Sequence, residues 1–272
     1  MPKDRGLRLF CDHILKGFDF MLFLAMLLLG AVIGFVGAGG AGVTIAMLVV
    51  GFHVPMHEAL AVALTAMIFT CLSGAYSHFK EGEVVVKTGA VLGIGGVVGS
   101  FAGANVSMML DAELVRYMTS YIMLLSAVLL YLKVYHSDWL NARFHFPDHL
   151  LAGKKLYIYG LLAGTVNGFI SGAFGIGAAA FIQLTLLIIF GVPLIQAIGT
   201  CMMVILPISV AGGLGYILQG QLDVAIFLQT LVGQFIGAYL GAKLTHLAPR
   251  PVLKFCIVGM STMGGVVLLF GV

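Results

Sequence analysis

Two glycine-rich runs hold the residues whose types and spacing could engage a solute: GFVGAGGAG at residues 34–42 and GFISGAFGIG at residues 168–177. The first places five glycines in nine residues, inside a stretch, 20–52, that contains no Asp, Glu, Lys, Arg or His. Glycine in a helix interior costs about 1 kcal/mol relative to alanine, so a segment serving only as an anchor would avoid such a cluster. A helix interrupted there frees backbone N–H groups at the start of the next helix, where the peptide dipoles add about half a positive charge. That is chemistry for holding an anion. Uncharged donors lie on or near both runs: Thr44 by the first, and Asn167, Ser171 and Gln183 by the second. Thr65 and Thr200 follow just past Pro55 and Pro193. Singly, each also suits a helix–helix hydrogen bond; together they cluster around both runs.

Other chemistries find less support. Ser171 followed by Gly172 hints at a serine nucleophile, yet no His lies between His149 and His246 to serve as its base. His53 and His57 have the spacing of a zinc pair, but Pro55 sits between them and no third ligand follows. His136, His145 and His149 belong to a polar stretch and read as solvated loop residues. The four cysteines, Cys11, Cys71, Cys201 and Cys256, are far apart and read as small buried apolar residues. The expectation is therefore no catalysis, no cofactor and no metal. A net charge of +3, with 14 Lys and Arg spread over tail and loops, offers no basic face to nucleic acid. Of the 11 carboxylates only Glu58, beside His57, is placed to reach into an apolar segment. A buried carboxylate relay for Na+ or H+ is thus poorly supported, and His57 with Glu58, or His78, remain minor candidates for a proton site.

The elements that must position these groups are membrane helices. The chain is 61% hydrophobic and 9% charged, against roughly 25% charged in a soluble domain. Charge-free runs at 20–52, 59–77, 88–110, 117–132, 156–222, 224–242 and 255–272 match or exceed the ~20 residues that cross a bilayer as helix. Lys3, Arg5, Arg8 and Lys16 precede the first run, which is too long for a cleaved leader and reads as a retained signal anchor. An internal repeat appears at an offset of 138: Pro55 with Pro193, Gly74 with Gly212, Gly82 with Gly220, then Gly95, Gly99 and Gly103 with Gly233, Gly237 and Gly241. Glycines spaced by four read as close-packing seams, inside one subunit or between two in a possible homodimer.

The fold expected is all-α and polytopic: about eight transmembrane helices in two structural repeats, the first helix of each broken at its Gly-rich point. The divisions are a cytoplasmic segment 1–17, a first repeat 18–132, a polar linker 133–155 carrying Trp139, and a second repeat 156–272. Four crossings per half with the N-terminus inside place ten Lys and Arg on the cytoplasmic side against four outside. Should the Gly-rich break instead form a hairpin, the halves become inverted rather than parallel, and the spans number more.

Broken apolar segments at matching places in two repeats point to a transport site. An inside-negative potential drives anions outward with about 2.3 kcal/mol per charge per 100 mV, so the expectation is an anion exporter, with uniport and coupling to an ion both left open. The paired order of GAGGAG (37–42) with VPMHEALAVAL (54–64), and the stretch GAFGIGAAAFIQLTLLIIFGVPLIQAIGT (172–200), resemble the two half-signatures of the TauE/SafE family. That resemblance covers residues 22–270. It implies a multi-pass protein of the bacterial inner membrane that exports sulfite or an organosulfonate such as sulfoacetate, with an anion channel or another small anion as alternatives. It also implies a substrate neighbourhood of Gly39, Gly40 and Gly42 in the first half, with Gly175, Gly177, Ala197, Gly199 and Thr200 in the second. The chain departs from the family pattern where Ala178, Ala179 and Ala180 replace successive glycines, where a proline is missing from the same helix in both halves, and where Gln183 adds a large amide. These departures leave room for a substrate other than the family's simplest.

Overall fold

The computed structural model describes residues 19–36, 40–135, 153–245 and 250–271. Ten helices account for nearly all of them, and no strand occurs among the described residues. They are α1 (Phe20–Val36), α2 (Ala41–Ala46, continued as one π-helical turn, Met47–Gly51), α3 (Met56–Lys80), α4 (Val86–Met108), α5 (Ala112–Tyr135), α6 (Lys154–Phe174), α7 (Ala179–Ile188), α8 (Leu194–Leu218), α9 (Val224–Thr245) and α10 (Arg250–Phe270). Five of them, α3, α4, α5, α6 and α8, are long and apolar enough over most of their length to cross a membrane. The N-terminal segment, Gly39, Cys11, and the linker with Trp139 and its three histidines lie outside the described residues.

Helix directions follow from which residues meet. Gly74 packs on Met202 and Gly212 on Leu64, so α3 and α8 are antiparallel. The His57 ring Nε2 lies 3.0 Å from the Ser107 carbonyl, which sets α4 antiparallel to α3. Gly160, Gly168 and Gly172 of α6 meet Val91, Gly96 and Ser100 of α4 in rising order, and Gly233 and Gly237 of α9 meet Phe23 and Leu27 of α1 likewise. Those two pairs are parallel. Arg116 Nε donates to the Leu268 carbonyl at 2.8 Å while Gly265 meets Leu124, making α5 and α10 antiparallel. Val43 and Val50 of α2 lie against Gly264 and Gly271 of α10. Consequently α2 runs opposite to α1, and α1 runs the same way as α3.

This differs from a single broken span followed by a return helix, and the reason is local. At the second Gly-rich run the chain does not merely kink: three of the four residues joining α6 to α7, Gly175, Gly177 and Ala178, have positive φ (67°, 69° and 48°), which turns the chain back on itself. Each half therefore contains five helices of alternating direction rather than four crossings. The count of eight spans and the orientation drawn from it do not carry over to this arrangement.

Backbone detail recurs at the 138-residue offset. Val54 N donates to Leu48 O and Val192 N to Leu186 O, both at 3.0 Å. Glu83 N donates to His78 O at 2.9 Å and Gln221 N to Tyr216 O at 3.1 Å. Gly82 and Gly220 share a positive φ (75° and 72°), as do His53 and Gly191 (52° and 64°).

The glycine seams are used inside the chain and join the halves. A side chain at Gly99 would run into the Thr165 carbonyl, one at Gly168 into Gly96, and one at Gly237 into Leu27. Between lipid-embedded helices there is no hydrophobic drive to associate, so close backbone approach supplies the packing. The Thr165 hydroxyl bridges this seam, donating to Gly95 O (3.2 Å) and Leu161 O (2.8 Å).

Replacing Gly168 by Leu should push α4 and α6 apart, because the obstacle is backbone and has no rotamer to yield; overpacking of this kind costs about 1–3 kcal/mol or more. The expected outcome is a fall of several degrees in the apparent Tm of the detergent-purified protein, or its loss from the monodisperse fraction. Ala178→Gly should act the other way. An L-residue in the left-handed region pays about 1–2 kcal/mol, so the glycine variant should melt about 2–4 °C higher; an unchanged or lower Tm would show that the turn is not strained.

Candidate functional site

The turn from α6 into α7 leaves backbone groups without helical partners deep inside the protein, and the structure treats its two sides differently. On the α6 side, Gly175 in the left-handed conformation returns its N–H to Ser171 O at 2.8 Å. The hydroxyl of Tyr216, a fully buried residue of α8, donates toward Gly172 O (3.0 Å) and Ala173 O (3.4 Å). The carbonyl end of α6 is thereby closed. On the α7 side, Ala178 occupies the N-cap position and offers no side-chain hydrogen bond to the first amides of α7. Alanine has no group with which to do so. What remains at this turn is a helix start with uncapped N–H groups and its share of positive dipole. Beside it, the Ser171 hydroxyl is fully buried and has no hydrogen-bond partner.

The first half presents a related arrangement at the start of α2. Gly40 is its N-cap, again with no side-chain cap, and its carbonyl accepts both Thr44 N and Thr44 Oγ1 at 3.0 Å. Gly42 is buried with the end of Met123 over it. Thr44 Oγ1 also accepts a hydrogen bond of 2.7 Å from Gln234 Nε2 of α9. The second turn lies against α2 and α3: Gly175 sits against Ile45 of α2 and Leu60 of α3, while Gly177 sits against the end of Met67.

Of the residues expected from sequence, Gly40, Gly42 and Thr44 gather at the first turn, and Ser171, Gly175 and Gly177 at the second. Thr65, on α3 between Leu60 and Met67, donates to Ala61 O at 2.7 Å and faces Gly213 of α8. Gln183 lies in the second turn of α7, partly buried. Asn167 ties the α6–α7 hairpin together: its Nδ2 donates to Ala163 O (2.8 Å) and to Thr185 Oγ1 (3.1 Å). It forms the floor of a groove of about 520 Å³ whose walls include Leu162 and Val166, exposed side chains that face outward. Gly199 and Thr200 turn away from the hairpin. Gly199 packs on the Glu83 backbone and His78, and the Thr200 hydroxyl accepts Val85 N at 2.9 Å, so both brace the connection between α3 and α4. Ala197 is buried in the first turn of α8, its N–H donated to Pro193 O at 2.8 Å.

Three contributors escaped the sequence reading. Tyr216 and Thr185 sit in apolar runs where nothing marks them as partners of a turn. Gln234 left a clearer trace: a carboxamide inside the seam motif GQFIGAYLGA, whose glycine spacing drew the attention instead. At the α3–α4 connection His78 Nδ1 lies 2.8 Å from Glu83 Oε2, and with Glu81 these side chains bring three ligand-type atoms within 4.8 Å of one another. His53 and His57 do not converge: His57 turns to the Ser107 carbonyl, and His53 is exposed at the bend between α2 and α3.

The chain matches the sequence profile of the family described as "Sulfite exporter TauE/SafE" over residues 22–268. It is 41% identical over 250 residues to the "Probable membrane transporter protein YdhB" of Bacillus subtilis, covering 92% of this chain and 100% of that one. Over 249 residues it is 26% identical to "Probable membrane transporter protein YunE" of the same organism, covering 83% and 89%. Over 256 residues it is 27% identical to "Probable membrane transporter protein YfcA" of Escherichia coli K12, covering 92% and 89%. No solved structure matches at a significant level. With the profile spanning nearly its whole length and a relative this similar across all of its own, the chain belongs to the TauE/SafE family and is a multi-pass bacterial membrane transporter.

Proposed function

We propose that this protein exports a small sulfur-containing anion, sulfite or an organosulfonate such as sulfoacetate, through a site between the α1–α2 and α6–α7 turns. The observation that carries this reading is the unequal treatment of the second turn. Its carbonyl side is closed by Gly175 N and the Tyr216 hydroxyl, whereas its amide side, at Ala178, has no side-chain cap. A solute entering there meets N–H dipoles and the unpartnered Ser171 hydroxyl, all donors. An anion is the solute such donors select.

The two halves are read as inverted structural repeats. Support comes from the matching backbone hydrogen bonds at the 138-residue offset and from the antiparallel pairing of each half's equivalent helices, α3 with α8 and α5 with α10. An odd number of helices per half reverses the second half relative to the first. Such repeats give a carrier two equivalent gating arrangements, one toward each side of the membrane, around a fixed site. The membrane potential supplies the outward drive, which suits the absence of deep carboxylates from the described helix interiors.

Counterflow in proteoliposomes across sulfite, sulfate, sulfoacetate, taurine and isethionate tests the reading. Saturable flux of about 10–1,000 per second marks a carrier; far higher conductance marks a channel. Gly177→Leu, which forces a side chain onto Met67 at a positive φ, and Gly42→Leu should each abolish counterflow while the protein is still made. Wild-type uptake by both would remove the site. Tyr216→Phe should weaken anion binding about tenfold, because it bares two carbonyl oxygens toward the same space; a Tyr216→Phe protein with unaltered affinity would show that carbonyl closure does not set the site's polarity.

A further inference from the structure

Gln234 is a buried polar side chain beside Thr44 that the proposed site has not yet used. It lies midway along α9, is 5% exposed, and has room only because Gly30 of α1 brings no side chain against its backbone. One of its amide hydrogens meets Thr44 Oγ1 at 2.7 Å. Among the described residues the only other acceptor its Nε2 meets is the Met26 thioether, 3.8 Å away. A thioether is a weak acceptor. A strong donor deep in a helical bundle, resting on sulfur, carries much of the penalty of an unmade hydrogen bond. The Thr44 hydroxyl cannot relieve it, because its own proton is committed to Gly40 O.

We propose that Gln234 is a ligand of the transported oxyanion: its second amide hydrogen leaves the Met26 sulfur and donates to an anion oxygen at the start of α2. This rests on the anion-transport reading above and gives the first turn the side-chain donor that the second has in Ser171. The chemistry it selects is specific. A neutral carboxamide hydrogen-bonds an oxyanion in a charge-assisted manner without contributing a cation that would hold it too tightly to release. The chain Gln234 N–H to Thr44 O–H to Gly40 C=O fixes the amide plane, so the free hydrogen has a defined direction.

Binding of sulfite and of sulfoacetate to the purified full-length protein decides the matter, using Gln234→Met and Gln234→Glu. Methionine keeps the volume and removes the donor; glutamate keeps the shape and adds an acceptor. Each should raise Kd at least tenfold, and Gln234→Met should do so with apparent Tm close to that of the native chain. A monodisperse variant that binds both anions within twofold of native overturns the proposal. The native protein offers a check that needs no altered Gln234: with methyl-labelled methionine, and Met26→Leu to assign the signal, anion saturation should shift the Met26 methyl resonance. An unmoved Met26 signal at saturation overturns the proposal as well. Should the native protein bind none of the tested anions, the anion reading itself fails and takes this inference with it; native binding with Gln234→Met unaffected removes only this inference.

Discussion

A backbone N–H or C=O in the interior of a membrane protein has no water to fall back on, and each one left unmet costs several kcal/mol. Turning a helix back within the membrane creates several such groups at once. Here the return from α6 to α7 closes its carbonyls with Gly175 N and the Tyr216 hydroxyl but leaves the amides of α7 without a side-chain cap. The resulting polarity needs no charged residue. A helix start in a chain with 9% charged residues is thereby electropositive without a cation.

Glycine serves two separate physical purposes. At Gly175 and Gly177 the backbone itself needs positive φ, and Ala178 shows what happens when the third such position is not glycine: the conformation is kept and the strain accepted. In the seams the backbone is ordinary helix and the missing side chain is the point. There α6 of the second half lies along α4 of the first, and α1 of the first half along α9 of the second. Each half therefore lends its opening helix to the other, and neither buries its seam alone.

The class and the recurrence at 138 residues were legible because both are written in spacing: long charge-free runs, and paired prolines and glycines in register. The location of the α6–α7 turn was legible too, since Gly175 and Gly177 stand in a glycine-rich run that has a counterpart in the first half. Its geometry was not. A break and a reversal have the same composition, and only the sequence of three positive φ angles at Gly175, Gly177 and Ala178 distinguishes them. Thr200 was placed by its nearness to Pro193 and Gly199 by the family resemblance, but a helix face turns by about 100° per residue, and both residues meet the α3–α4 connection. Cys201, one residue on, points instead to Ala179 O at 3.5 Å. Gln234 and Tyr216 were hidden because their partners are more than 40 residues away in sequence.

The repeat also explains an asymmetry. Positions related by the 138-residue offset share backbone hydrogen bonds but not side chains: Tyr216 corresponds to His78, and Gln234 to Gly96. Tyr216 closes a turn from within the bundle, while His78 pairs with Glu83 at a partly exposed connection. Gln234 fills the α1–α9 seam, whereas Gly96 lets α6 approach α4 directly. The second half thus supplies most of the polar side chains at both turns, Asn167, Ser171, Tyr216 and Gln234, while the first supplies chiefly the hydroxyls of Thr44 and Thr65. Unequal side chains make the two turns chemically distinct: a buried hydroxyl without a partner and a helix start without a side-chain cap stand at the second, and a carboxamide bonded to threonine stands by the first.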